Sequence, residues 1–179
     1  MGTPVGTELP QRVTSNRGAR LDKPVFGSVA LRQMPLQPHP KEALSESLPV
    51  EPTSPEKARE VTRWFLVNCR SISTDTIDTV VLIVSELVTN AYIAMTEATS
   101  GIFCIDLSLR LFNNDRLLIE VTDSSPRVPL LQAIDPDSIN GRGLALVDDL
   151  SHQWGYFWHC DRKVVYASTS VTDSPNATS

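Results

Sequence analysis

A run of apolar residues from Val80 to Ala91 is broken only by two polar pairs, Ser85-Glu86 and Thr89-Asn90. The carboxylate of Glu86 and the carboxamide of Asn90 stand four residues apart, so in a helix they share a face. Val81, Leu82, Val84, Leu87, Val88 and Ala91 take up the remaining surface and ask for burial. A chain carrying such a helix must cover most of it with other elements. It must also find partners for two polar groups held against an apolar layer. An ion, a nucleotide or a buried hydrogen-bond network would each serve, and a helix cap or a core asparagine is the plainer account of the same residues.

The flanking segments supply the cover. Ser54-Pro55-Glu56 reads as a helix start, with Ser54 as N-cap, proline in the first turn and an early acid. Ala58, Val61, Phe65 and Cys69 follow at helical spacing, with Trp64 beside them. After a polar link at Ser71–Thr74, the second helix is expected over about Asp75–Thr96. The period then changes to two: Phe103, Ile105, Leu107, Leu109 and Leu111 alternate as in a half-buried strand. Asn113-Asn114-Asp115 is turn chemistry, and Leu117, Ile119 and Val121 alternate again, so a hairpin ends at Asp123. A loop, Ser124–Asn140, leads to Gly141-Arg142-Gly143, a short helix over Leu144–Leu150, and strands at Trp154–His159 and Val164–Thr169. Leu48–Val50 is a candidate edge strand. The order predicts an α/β (α+β) two-layer sandwich, its sheet mixed but mainly antiparallel, with helices on one face.

A length of 179 residues suits one domain with extensions. Nine of the 13 prolines fall at or before Pro55, so residues 1–43 read as a disordered Pro-rich tail, 44–171 as the domain and 172–179 as a C-terminal tail. A short strand at Val25–Leu31 is the alternative within the first tail. The net charge of −5 argues against a nucleic-acid surface as the main function. No apolar run is expected to reach the roughly 20 residues that span a bilayer, and no apolar signal core opens the chain. Three cysteines, odd in number and far apart, suit a reducing cytoplasm. His152, His159 and Cys160 lack paired zinc spacing and read as packed or surface residues. Trp64, Trp154, Tyr156 and Trp158 read as core before partner surface.

Three motifs carry chemistry. The Glu86/Asn90 face offers a base and a neutral oxygen ligand, the latter suited to a hard cation such as Mg²⁺. Asp123, at a strand end, offers a carboxylate to the amino group of an adenine; Asp-Ser-Ser-Pro is also an ordinary turn sequence, and alone that account would win. Gly141-Arg142-Gly143 precedes a helix, where glycines let a phosphate approach, helix N–H groups point outward and arginine adds charge-assisted bonds. A lone GxG otherwise marks a tight turn.

Taken in order, SELVTNA, IEVTDSSPRVP and GRGLALVDDLSHQWG resemble the histidine-kinase-like ATPase domain of the anti-sigma-factor serine kinases, in particular the small stand-alone ATP-binding regulators of actinobacteria. The resemblance covers about residues 45–170. It implies a Bergerat-type ATP site with the Ser124–Asn140 loop as a lid. Position by position, it implies Glu86 as catalytic base, Asn90 as Mg²⁺ ligand and Asp123 as the adenine-reading carboxylate. Gly141, Arg142 and Gly143 match the lid residues near the phosphates, with Leu144 beside them. Lys163 and Thr169 align loosely with polar residues of the last strands, and Thr169 is taken as nucleotide-binding. The chain departs from the pattern at Ala94-Met95, where relatives often hold His-Ala, and at Ser125, where the kinases hold glycine. The expected effect is a more apolar neighbourhood for the base and less room beside the nucleotide.

Three functions compete. One is an ATP- and Mg²⁺-dependent protein-serine/threonine kinase that phosphorylates an anti-sigma-factor antagonist and sequesters a sigma factor, as the resemblance implies. Another is a regulator that binds protein partners, with or without nucleotide, and has no turnover. The third is a domain whose Glu86/Asn90 pair is structural. A homodimer accords with the resemblance.

Overall fold

The computed structural model describes residues 39–69, 72–96, 104–129 and 142–172. Five strands and three helices follow in the order β1 (Glu42–Pro49), α1 (Ser54–Asn68), α2 (Thr74–Thr96), β2 (Cys104–Leu111), β3 (Arg116–Asp123), α3 (Arg142–Leu150), β4 (Gln153–His159) and β5 (Arg162–Ser170). The sheet has strand order β1-β2-β3-β5-β4. All four ladders are antiparallel, so the parallel component of a mixed sheet is absent among the described residues. Most of the 1–43 segment and residues 173–179 lie outside them, as do the Val25–Leu31 strand and most of the Ser124–Asn140 loop.

The alternation in β2 and β3 decides which face is covered. Ile105, Leu107, Leu109, Leu117, Ile119 and Val121 are fully or almost fully buried on one side, against α1, α2 and α3. The other side carries Asp106, Ser108, Arg110, Glu120 and Thr122, with a smaller cluster of Phe112, Leu118 and Tyr166. On that open face Arg162 ties strands together, pairing with Asp106 and donating to the carbonyls of Cys104 (3.3 Å) and Thr122 (3.2 Å). Tyr166 lies over Gly155 of the neighbouring strand, so that a Cβ there would come within 2.9 Å of its hydroxyl.

β1 is longer than the Leu48–Val50 expectation. Its register places Leu44 opposite Leu109 and Leu48 opposite Ile105, and these apolar residues dock the strand while Glu42, Ser45, Glu46 and Ser47 keep it mainly polar. α1 begins one residue away from its expected cap. Thr53 holds the N-cap position without a side-chain capping bond, its hydroxyl donating to Glu51, while the Ser54 hydroxyl donates to the Pro49 carbonyl and accepts from the Glu51 N–H. The serine therefore ties β1 to α1.

α2 is rich in β-branched residues, which disfavour a helix on their own. Burial holds it: ten of its side chains, Ile77 to Met95, are packed against the sheet and the other helices. Each such burial is worth about 1.5–3 kcal/mol for a large apolar side chain. Ser73 caps the start, its Oγ accepting from the Thr76 N–H at 3.3 Å. By length and composition α2 is apolar enough to cross a membrane, contrary to the expectation from sequence, and half of its most apolar stretch is buried in this fold. Leu82 departs from its expected burial and is 39% exposed, as it lies on the side of α2 that carries Glu86. Trp154 and Tyr156 are buried as expected, whereas Trp64 is 65% and Trp158 38% exposed.

Candidate functional site

α2 presents Glu86 and Asn90 one turn apart, both partly buried, at the edge of the packed layer. α3 packs against α2 here, and Gly143 in its first turn touches the Glu86 side chain. A Cβ on Gly143 would overlap Glu86 Oε2, so only glycine lets the carboxylate stand this close to the start of α3. Burial pushes the Glu86 carboxyl above the ordinary carboxylate range. No charged group among the described residues offsets that push.

Further along α2, nine residues past Glu86 and about 13 Å at 1.5 Å per residue, lies Met95. It is buried, and its sulfur accepts a hydrogen bond from the Ser124 hydroxyl at 3.4 Å. The Ala94-Met95 departure therefore sits beside the strand end that carries Asp123. The base, two and a half turns away, is not made more apolar by it.

Asp123 is the last residue of β3 and is 0% exposed. Its Oδ1 accepts from the Ser125 N–H at 2.8 Å and stands 3.2 Å from Lys163 Nζ. Ser125 Oγ in turn accepts from the Arg127 N–H at 3.2 Å, so the turn account of this sequence holds for one oxygen. Oδ2 is buried with no hydrogen-bond partner among the described residues, an acceptor that an N–H donor would satisfy.

Lys163 was only loosely placed by sequence, yet the register sets it directly opposite Asp123. Its side chain is likewise 0% exposed, and Nζ donates to the Arg127 carbonyl at 2.6 Å. Burial pushes Asp123 up and Lys163 down, and their mutual attraction opposes both shifts without cancelling either. A lysine near the start of a strand ordinarily reads as solvated, so only the cross-strand register reveals this one.

Gly141 and the Arg142 side chain lie outside the described residues. Leu144 is buried in the main core. Thr169 pairs with Leu117, six residues along β5 from Lys163 and so about 20 Å from the Asp123 end. The structure does not bring it to the others. Among the described residues no group of three or more His, Cys, Asp or Glu is arranged to hold a metal, so a cation here would need oxygens from a bound ligand beside the Asn90 amide. The groove of about 620 Å³ on the open sheet face, lined by Ser47, Asp106, Arg110, Glu120, Thr122 and His159 among others, contains none of the expected site residues.

Comparison with known proteins bears on the family and the fold. Residues 48–166 match the family model of the histidine kinase-like ATPase domain. The fold is similar to the crystal structure of the RsbU and RsbW domains of Rv1364c from Mycobacterium tuberculosis, at 16% identity and a TM-score of 0.58, covering 78% of this chain and 35% of that one. It is also similar to the SiaB-SiaC complex from Pseudomonas aeruginosa, at 10% identity and a TM-score of 0.54, covering 70% of this chain and 88% of that one. The chain thus spans about a third of the mycobacterial chain's length, 35%. No curated protein sequence matches it. With a family model matching residues 48–166 and an α+β sandwich of five antiparallel strands under three helices, the chain belongs to the histidine kinase-like ATPase domain family.

Proposed function

We propose that this protein binds ATP with Mg²⁺ and phosphorylates a serine or threonine of a small protein partner, an anti-sigma-factor antagonist, and that it also holds a sigma factor inactive. The observation that carries the reading is Asp123 at the end of β3, whose buried Oδ2 has no hydrogen-bond partner among the described residues. With it go the Glu86 carboxylate against Gly143 at the start of α3 and Asn90 one turn along α2. An unpaired acceptor suits an amino-bearing base, and a carboxylate beside a helix start suits the phosphate end of the same ligand.

The residues present fit such a ligand. Oδ2 of Asp123 accepts an amino N–H, and the first turn of α3 turns free N–H groups toward phosphate oxygens. Asn90 offers one neutral oxygen to a metal that arrives with the phosphates. ATP, when bound, supplies the phosphoryl group. Glu86, whose proton affinity is raised by burial, is suited to take the proton of an incoming hydroxyl. Arg142 would add a cation near the phosphates, in keeping with catalysis by positioning and electrostatics. Three free cysteines fit a cytoplasmic setting, and a homodimer belongs to the same reading.

A second reading, a nucleotide-binding regulator without turnover, draws support from Glu86 itself: no described group orients its carboxylate through charge. Thermal denaturation with ATP and ADP, with and without Mg²⁺, tests nucleotide binding. A ligand at 100 times its dissociation constant adds about 2.7 kcal/mol, and no shift in any condition would overturn both readings. Glu86→Gln then separates them. A kinase loses phosphotransfer to the antagonist while keeping much of its nucleotide affinity, whereas a binding regulator has no turnover to lose.

A further inference from the structure

Resting on the ATP-site reading above, we infer that Lys163 is a positioning residue for base recognition. It commits one oxygen of Asp123 to the protein and leaves the other, Oδ2, as the acceptor that selects a purine bearing an exocyclic amino group.

Stability accounts poorly for a Lys–Asp pair in this place. Lysine is among the residues least often fully buried, yet both partners are 0% exposed. A buried ion pair is commonly no more stabilising than apolar residues of the same volume. What the pair does is break the symmetry of the carboxylate. The Ser125 N–H and Lys163 Nζ both converge on Oδ1, while Oδ2 receives no hydrogen bond from any of the described residues. Nζ also donates to the Arg127 carbonyl at 2.6 Å, so the ammonium is held between that carbonyl and Oδ1. Its charge opposes the upward push that burial exerts on Asp123 and thereby favours the acceptor-only carboxylate. Met95 is buried, and its sulfur accepts from the hydroxyl of Ser124, the residue after Asp123. An oxygen with these properties accepts from the 6-amino group of adenine and repels the 6-oxo group of guanine or hypoxanthine, which is itself an acceptor.

The test compares the equilibrium binding of ATP and inosine triphosphate, at one Mg²⁺ concentration, to wild type, Lys163→Met and Asn90→Ala. Far-ultraviolet circular dichroism and thermal melts check that each variant is folded. Wild type is expected to prefer ATP by about 100-fold or more, as sites that hydrogen-bond a substrate group reject analogues lacking it. In Lys163→Met the preference should fall to within about tenfold. Asn90→Ala, acting at the phosphate end, should weaken both nucleotides and keep their ratio. A lysine with a merely structural role would lower both affinities together, so an unchanged ratio in folded Lys163→Met overturns the inference and leaves the ATP site standing. Binding of neither nucleotide by wild type overturns the ATP site itself. Should Lys163→Met fail to fold, Lys163→Gln keeps a donor for the Arg127 carbonyl without the charge, and the same loss of preference is expected of it.

Discussion

Replacing Gly143 by alanine tests whether Glu86 is held where the fold puts it. A Cβ at this position would overlap Glu86 Oε2 and approach the carboxyl carbon to 3.4 Å, while the Glu86 Cβ stays at an ordinary 3.7 Å. The backbone tolerates the methyl group; the carboxylate does not, and must rotate away. Rotation off a favoured torsion costs about 0.5–1.5 kcal/mol, against a gain of up to ~1 kcal/mol for alanine over glycine in a helix, less in the first turn. Gly143→Ala is therefore expected to stay within about 1 kcal/mol of wild type in urea denaturation. In a Glu86→Ala background nothing is left to clash, and the same substitution should stabilise. The difference between the two backgrounds, a coupling of about 1 kcal/mol, is read from four denaturation curves. On the kinase reading proposed above, turnover supplies the other half: a carboxylate displaced by about 1 Å costs on the order of 100-fold in phosphotransfer, with nucleotide affinity little changed. The same stability change in both backgrounds would refute the contact, and full turnover in Gly143→Ala would refute the role given to Glu86.

Three other outcomes follow from the structure. Asn90→Ala should weaken Mg·ATP binding more than metal-free ATP binding in paired titrations, and equal losses would exclude action through the metal. Because burial raises the Glu86 pKa, the folded protein holds this proton more tightly than the unfolded chain. Stability is then fullest below the ordinary carboxylate pKa and falls as pH rises through the raised value; Glu86→Gln should flatten that decline in melts across acid to neutral pH, and superimposable profiles would refute it. Gly155→Ala brings a Cβ to 2.9 Å from the Tyr166 hydroxyl and 3.1 Å from its ring carbon. It should cost about 1–3 kcal/mol as overpacking does, part of it recovered in Gly155→Ala/Tyr166→Leu, and a wild-type melting temperature for the single variant would count against the contact.

How much of this was legible in the sequence depended on whether the signal was local. Glu86 and Asn90 were found because helical periodicity alone puts them on one face, and Asp123 because alternation ended there. β1 was seen only at its apolar end, since an edge strand paired on one side needs few apolar residues and Glu42–Ser47 carries mainly polar ones. Ser54 had the residue type of a cap, but a tertiary partner, the Pro49 carbonyl, took its hydroxyl. Lys163 and Thr169 show the limit most directly. Both are polar residues of the last strand, and only the pairing with β3 tells which faces Asp123 and which lies about 20 Å away. Met95 was recognised as a departure, yet its neighbour Ser124 comes from 29 residues along the chain.

α2 contributes ten side chains to the core and, on its remaining side, Glu86 and Asn90. The wall of the proposed site and the keystone of the fold are thus one and the same helix. A substitution that shifted α2 to admit a different ligand would have to repack the sheet beneath it, where even a methylene is felt. New specificity in a protein built this way is easiest to gain from parts that can change without moving the helix: the turn after Asp123 and the first residues of α3. A directed search for altered nucleotide or partner preference would therefore randomise Ser124–Pro129 and the start of α3 first, and leave α2 alone.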